Sequence, residues 1–195
     1  MKFILASGSP RRYEILKNLG LGFEVVLPEV DEASDESDPR RLTEELSYRK
    51  GIAVCEALGE PTDTVIISSD TVVAVDGEIL GKPCDIRDAE RMLRMLSGRA
   101  HEVISGICLT YGGRSVTAHE VTEVVFDTMS DGDIATAVTL GEPLDKAGAY
   151  AVQGTASLFI KELRGDYFNV VGLPVNLLVK TLKKEFGINI CEYLM

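Results

Sequence analysis

Leu5-Ala6-Ser7-Gly8-Ser9-Pro10-Arg11-Arg12 sets two hydroxyls, a glycine and two guanidinium groups in one short stretch. Pro10 suits the first position of a helix, because its fixed φ fits there and its missing N–H would have no partner. Ser9 then falls at the N-cap. Helix starts disfavour cations, so Arg11 and Arg12 in a first turn ask for an anion. Backbone N–H groups, hydroxyls and two guanidinium forks together suit a phosphate chain. The plainer reading is an ordinary helix start with solvated arginines.

A second chemical signal lies at Asp70, in Ser68-Ser69-Asp70-Thr71 between two β-branched runs. A carboxylate is expensive to bury there unless a cation, a metal or a hydrogen-bond network meets it. Metal ligand, general base and structural acceptor for backbone N–H groups at a strand kink are the roles open to it. Glu29, Asp31, Glu32, Asp35, Glu36 and Asp38 form an acidic run. Such runs are usually solvated connectors, but one carboxylate from Asp31-Glu32 folding back over the phosphate site would hold a metal. Arg49 and Lys50 fall mid-helix, where lysines and arginines are usually solvated, with Lys50 open to pointing back at the first loop. Lys82, in Gly81-Lys82-Pro83, is expected close to Asp70. In Asp145 to Gly154, Lys146, Tyr150 and Gln153 stand isolated among small residues.

These groups need a frame. Lys2–Ala6 reads as a buried strand and Ile15, Leu16 and Leu19 as the inner face of the helix begun at Pro10. A second strand is expected over 23–27. Asp38-Pro39 opens a long helix on which Leu42, Leu46, Ile52, Ala53 and Leu58 recur. Thr64 to Val75 is the most buried-looking strand, returning through an Asp76-Gly77 type I′ turn to Glu78-Ile79-Leu80. Asp85 with Asp88 opens a helix whose Ala89, Met92, Leu93 and Leu96 face inward. Strands over 101–111 and 115–127 flank Gly112-Gly113, and Ser130 with Asp133 is a capping box for a helix through Leu140. A strand over 157–163, a turn over 165–169 and a helix after Pro174 with Leu177, Leu178, Thr181 and Leu182 follow. Residues 187–195 read as a packed strand or docking segment. Strands alternating with helices, then an antiparallel set, predict an α/β fold: a mixed sheet with flanking helices, in two lobes around a cleft.

The 195 residues are 45% hydrophobic and 26% charged, ordinary for a globular chain. No apolar run approaches the roughly 20 residues that span a bilayer, and the first strand is too short for a signal-peptide core; the chain reads as cytoplasmic. Four scattered cysteines and two histidines, His101 and His119, make no zinc or disulfide pattern. The cysteines read as small buried hydrophobes and the histidines as strand-face residues. A formal net charge of −11 opposes binding to nucleic acid. An anionic small substrate remains open if the few cations share one cleft.

Taken in order, Leu5 to Arg12, Val30-Asp31-Glu32, Lys50, Ser69-Asp70-Thr71-Val72-Val73, Gly81-Lys82-Pro83, Asp145 to Gly154 and Asn169 to Pro174 resemble the Maf-like nucleotide pyrophosphatases nearly end to end. The resemblance implies one Maf-like domain over 1–195, a Maf/ITPase-like fold around a nucleotide-binding cleft. It further implies hydrolysis of a nucleoside triphosphate to the monophosphate and pyrophosphate, with a divalent cation such as Mg²⁺ or Mn²⁺. Asp70 would be the proton acceptor that activates water; Ser7, Arg12, Lys50 and Lys82 would hold phosphates, and Glu32 with Asp70 would bind metal. Arg11, Thr71 and Gln153 resemble the subgroup acting on dTTP and UTP, not the branch that prefers 7-methyl-GTP. Members are generally cytoplasmic, often homodimers, and are discussed as house-cleaning enzymes; some are linked to arrest of septum formation. Two other readings stand beside this one: a nucleotidyltransferase, which also attacks the α phosphate, and a nucleotide-sensing regulator of cell division without turnover.

Overall fold

The structure is a computed structural model that describes residues 1–141 and 143–194. Chain order is β1 (Lys2–Ala6), α1 (Pro10–Asn18), β2 (Glu24–Val25), α2 (Pro39–Ala57), β3 (Thr64–Val75), β4 (Glu78–Leu80), α3 (Ile86–Leu96), β5 (Ala100–Tyr111), β6 (Arg114–Phe126), α4 (Asp131–Leu140), β7 (Ile160–Arg164), α5 (Tyr167–Val171) and α6 (Val175–Phe186). The strands form one mixed seven-stranded sheet in the order β2-β1-β3-β5-β6-β7, with β4 paired to β3. The expected α/β class with flanking helices is thus observed. The chain divides into two compact units, Met1–Asp70 with Ser105–Glu120 and Gly172–Met195, and Thr71–Ile104 with Val121–Val171.

In the first unit β1 runs parallel to β3, with Lys2 opposite Thr64 and Ala6 opposite Ser68. The chain therefore leaves β1 at Ser7 level with the point where β3 runs on through Ser69 and Asp70. Alternate residues face alternate sides of a strand. Ile4, Ala6 and Ile66 pack with Val54 and Cys55 of α2. The next residues on that face of β3 are Ser68 and Asp70. On α2 the buried residues include Ser47, Lys50, Gly51, Val54 and Cys55, a stripe at helical spacing. Ile52 and Ala53 are only half buried and Leu58 is exposed, so the inward face is not the one the apolar residues suggest. Asp38 caps α2, accepting from the Arg40 N–H at 2.9 Å. Edge strand β2 is shorter than expected: after the Val26 N–H donates to the Leu5 carbonyl, Pro28, lacking an N–H, ends the chance of pairing. The C-terminal segment is a 3-10 turn over Ile190–Tyr193, with Leu194 bridged to Leu21; Met195 lies outside the described residues.

In the second unit Val73, Val75, Leu80, Ala89, Met92, Leu93, Leu96, Phe126 and Ile134 share a core. Asp76 and Gly77 both have positive φ, as a type I′ turn requires, and pair Val75 with Glu78. The capping box at Ser130 and Asp133 is present. Two expectations fail here. The strand begins at Ile160, because Thr155–Phe159 is 3-10 helix with Leu158 in solvent. The expected turn over 165–169 becomes α5 from Tyr167, since the Asp166 side chain accepts from the Phe168 N–H at 2.8 Å and starts a helix. Cys55 and Cys108 are buried as expected, but Cys84 and Cys191 are exposed.

Candidate active site

The α2 stripe and the matching face of β3 meet at a charged pair. Lys50 and Asp70 are 7% and 8% exposed, and the Lys50 ammonium donates to Asp70 Oδ1 at 2.6 Å. The same Nζ lies 2.9 Å from Glu32 Oε1, so two carboxylates converge on one cation. This answers the cost of burying Asp70, since removing either partner would leave an uncompensated charge. Glu32 reaches the ammonium from the acidic run. It is held there by Arg49, whose Nη1 donates to the carbonyls of Asp31 at 3.3 Å and Ala33 at 2.8 Å. Glu45 in turn pairs with the Arg49 guanidinium.

Helix packing sets the position of Lys50. A Cβ on the neighbouring Gly51 would stand 2.8 Å from Ser68 Oγ and 3.3 Å from Cys108 Sγ. Ser68 is itself pinned, its Oγ donating to the Ser47 carbonyl at 2.7 Å. Only a glycine lets α2 approach β3 this closely.

Opposite faces of β3 serve opposite needs. Ser69, buried, donates from Oγ to the Gly172 carbonyl at 2.9 Å, and Arg12 Nε donates to the same oxygen at 2.8 Å. Arg12 Nη1 reaches Ser7 Oγ at 3.2 Å, and that hydroxyl also accepts from the Ser9 N–H. The half-buried Arg12 has its pKa lowered by desolvation, an effect opposed by the negative charges of Asp70 and Glu32; a guanidinium remains charged at neutral pH regardless. Arg11 also acts on it as a like charge. Ser7, Arg11, Arg12, Glu32, Lys50 and Asp70 are thereby brought within electrostatic reach in one unit. Ser9 stands at the N-cap of α1 without a side-chain cap bond.

The remaining expected residues belong to the second unit. Thr71 is half buried, Lys82 is exposed just after β4, and Gln153 is exposed three residues beyond Tyr150. Lys146 is buried and donates to Asp145 Oδ1 at 2.6 Å. His101 and His119 lie on β5 and β6, as expected of strand-face residues. Sequence reasoning missed Arg49, Ser69 and the Gly172 carbonyl as supports. Arg49 had a signal, one turn after Glu45 and beside a lysine on the inward stripe. The Gly172 carbonyl, a backbone atom remote in sequence from Arg12, had none.

Among the described residues no group of three or more His, Cys, Asp or Glu gathers as a metal site. Two carboxylates aimed at one cation nonetheless suit a hard divalent ion held jointly with phosphate oxygens and water, the usual manner of Mg²⁺.

The chain matches the Maf-like protein family over residues 2–185. A dTTP/UTP pyrophosphatase of Symbiobacterium thermophilum is 47% identical over 187 residues, which is 95% of this chain and 94% of that protein. One from Alkaliphilus metalliredigens is 45% identical over 192 residues, covering 97% and 98%. Another from a Thermoanaerobacter species is 43% identical over 192 residues, covering 97% and 100%.

Proposed function

This chain belongs to the Maf-like protein family, and from that premise we propose that it hydrolyses dTTP and UTP between the α and β phosphates, releasing the nucleoside monophosphate and pyrophosphate. The observation that carries the reading is the convergence of Asp70 and Glu32 on the Lys50 ammonium, with Arg12 and Ser7 in the same unit. A store of cations beside a held carboxylate suits the attack of water on a triphosphate.

Asp70 is the proton acceptor. With Oδ1 bound by Lys50, its other oxygen takes the proton of the attacking water, and its low exposure keeps bulk water from competing. Arg12 and Ser7 hold phosphate oxygens, with Arg12 oriented by the Gly172 carbonyl. Lys50 and Lys82 add charge on the triphosphate. Negative charge grows on the leaving pyrophosphate, and donors fixed beforehand stabilise it without reorganising. Glu32 and Asp70 would hold a divalent cation, which would neutralise phosphate charge when bound. Arg11, Thr71 and Gln153 fit the residues that distinguish the dTTP and UTP subgroup, Thr71 and Gln153 offering a hydroxyl and an amide to a pyrimidine edge.

The test is pyrophosphate release from a panel of nucleoside triphosphates, including 7-methyl-GTP, with no acceptor molecule added. Turnover of dTTP and UTP is expected; a nucleotidyltransferase or a pure sensor gives none. Asp70→Asn keeps the shape and one hydrogen-bond acceptor but loses the base. Turnover should vanish while the thermal melt stays cooperative, and undiminished turnover in that variant would refute the assignment.

A further inference from the structure

The second unit buries a polar cluster for which the reaction has no direct use. His101 on β5 and Tyr150 are 3% and 7% exposed, with His101 Nε2 2.7 Å from the Tyr150 hydroxyl. Phe126 packs edge-on against both rings, at 5.0 and 4.9 Å between centroids. His101 Nδ1 is buried with no hydrogen-bond partner among the described residues. An apolar side chain would fill this site without that orphaned nitrogen, so the histidine calls for a reason. Burial lowers its pKa to about 4, which keeps the imidazole neutral and the bond to tyrosine a neutral one.

What the bond holds is visible along the chain from Tyr150. Ala149 and Gly148 both have left-handed φ, at 63° and 66°, a path that needs external support. A Cβ on Gly148 would stand 2.8 Å from Val73. The Gly148 N–H donates to the Gly81 carbonyl at 3.1 Å, and Lys82, the next residue, has its side chain in solvent. Tyr150 is thus two residues along the chain from the Gly148 N–H, whose bond to Gly81 reaches the peptide that carries Lys82, and Gln153 lies on the other side of the anchor.

We propose that His101 is a positioning residue: through the Tyr150 hydroxyl it anchors the Asp145–Gly154 segment and, through the Gly148–Gly81 hydrogen bond, sets where Lys82 meets the substrate. Its effect on substrate rests on the pyrophosphatase reading; its effect on the loop does not. His101 touches no reacting atom, so its removal weakens binding more than chemistry.

The experiment compares wild type with His101→Phe, Tyr150→Phe, the double variant and His101→Gln. Steady-state kinetics with dTTP and amide hydrogen exchange at Gly148 are the two readouts. Losing one buried hydrogen bond should raise KM about three- to tenfold, with kcat within about twofold, in both single variants. The double variant should be no worse than either, because one bond is lost once. His101→Gln keeps an N–H donor and should restore part of the loss. Exchange at Gly148 should quicken in both phenylalanine variants. Tyr150→Phe removes a single oxygen, so the test survives if His101→Phe fails to fold. A lowered melting temperature with unchanged KM and unchanged exchange at Gly148 would mean plain core packing and would overturn the proposal. If wild type releases no pyrophosphate from any triphosphate, the pyrophosphatase reading fails, and Gly148 exchange alone then decides: quickened supports the anchor, unchanged overturns it.

Discussion

Replacing Gly51 by alanine is a one-atom test of whether the approach of α2 to β3 sets the chemistry at Lys50. The new Cβ would lie 2.8 Å from Ser68 Oγ and 3.3 Å from Cys108 Sγ. Ser68 cannot swing aside cheaply, since it is buried and its Oγ donates to the Ser47 carbonyl. Helix α2 must therefore back away by roughly half an ångström to restore van der Waals contact. Overpacking of this size costs about 1–3 kcal/mol. Alanine's better helix propensity offsets up to about 1 kcal/mol of that, leaving a net loss of about 0–2 kcal/mol. The effect on activity is larger in proportion. Lys50 is the adjacent residue, and its bonds of 2.6 and 2.9 Å to Asp70 and Glu32 have little slack. Misplacing a catalytic group by about 1 Å costs around a hundredfold, so half that shift predicts a fall in kcat/KM of about tenfold. Pyrophosphate release from dTTP and a urea melt on the same preparation measure both quantities. A Gly51→Ala protein as active as wild type would refute the claim that this contact positions the lysine.

Lys50→Met leaves Asp70 and Glu32 facing each other without their ammonium, a loss of about 3–5 kcal/mol for a buried pair, toward the lower end here because Glu32 is half exposed. Mg²⁺ should raise the melting temperature of that variant more than that of wild type; an equal or absent response would argue against a divalent ion sharing the lysine's position. Arg12→Lys keeps the charge but cannot contact Ser7 and the Gly172 carbonyl with one rigid fork, and kcat/KM for dTTP should fall at least about tenfold; wild-type kinetics would show that the fork is dispensable. Burial holds the His101 pKa near 4 against an ordinary 6.5. The unfolded chain therefore binds the extra proton between those values, and stability falls as pH drops from about 6.5 to 4, by up to roughly 3 kcal/mol from this group. The difference in urea stability between wild type and His101→Phe should shrink or reverse over that window; a constant difference would sink the assignment.

Much of the site was legible because its residues contradict their elements. Asp70 stands out as a charge among β-branched residues of a strand, and arginines stand out at a helix start. Lys50 was harder to place. Its neighbours Ile52 and Ala53 suggest one inward face for α2, while Gly51, Val54 and Cys55 mark the true one. The decisive constraint is the Gly51 contact with Ser68, a tertiary fact that no local periodicity encodes. The same holds for Gly172, whose carbonyl gathers Arg12 and Ser69 from distant elements. The start of β7 is hidden from the sequence because Leu158 and Phe159 look like strand residues, yet the chain passes them through a 3-10 turn that leaves Leu158 in solvent. Asp166 looks like turn chemistry, and the same side-chain acceptor serves equally well to open a helix.

The chain's charge then acquires a structural meaning. With 31 acidic against 20 basic residues, a cation left in solvent on this surface would mostly meet carboxylates. Several do, as Arg91, Arg94 and Arg164 show, each paired at the exposed surface. Lys50 differs: it is taken out of water and given two carboxylates, one of them on a loop that Arg49 tethers by its backbone. Surface pairs of the first kind contribute little to stability, and a buried pair such as Lys50 and Asp70 is rarely worth its desolvation as a stabilising device. A fold seeking only stability would place apolar side chains on this face of the sheet, as it does one step away at Ile4 and Ala6 of β1 and Ile66 of β3. Keeping an ammonium and two carboxylates there instead is intelligible if they are to exchange partners with an arriving anion and its cation.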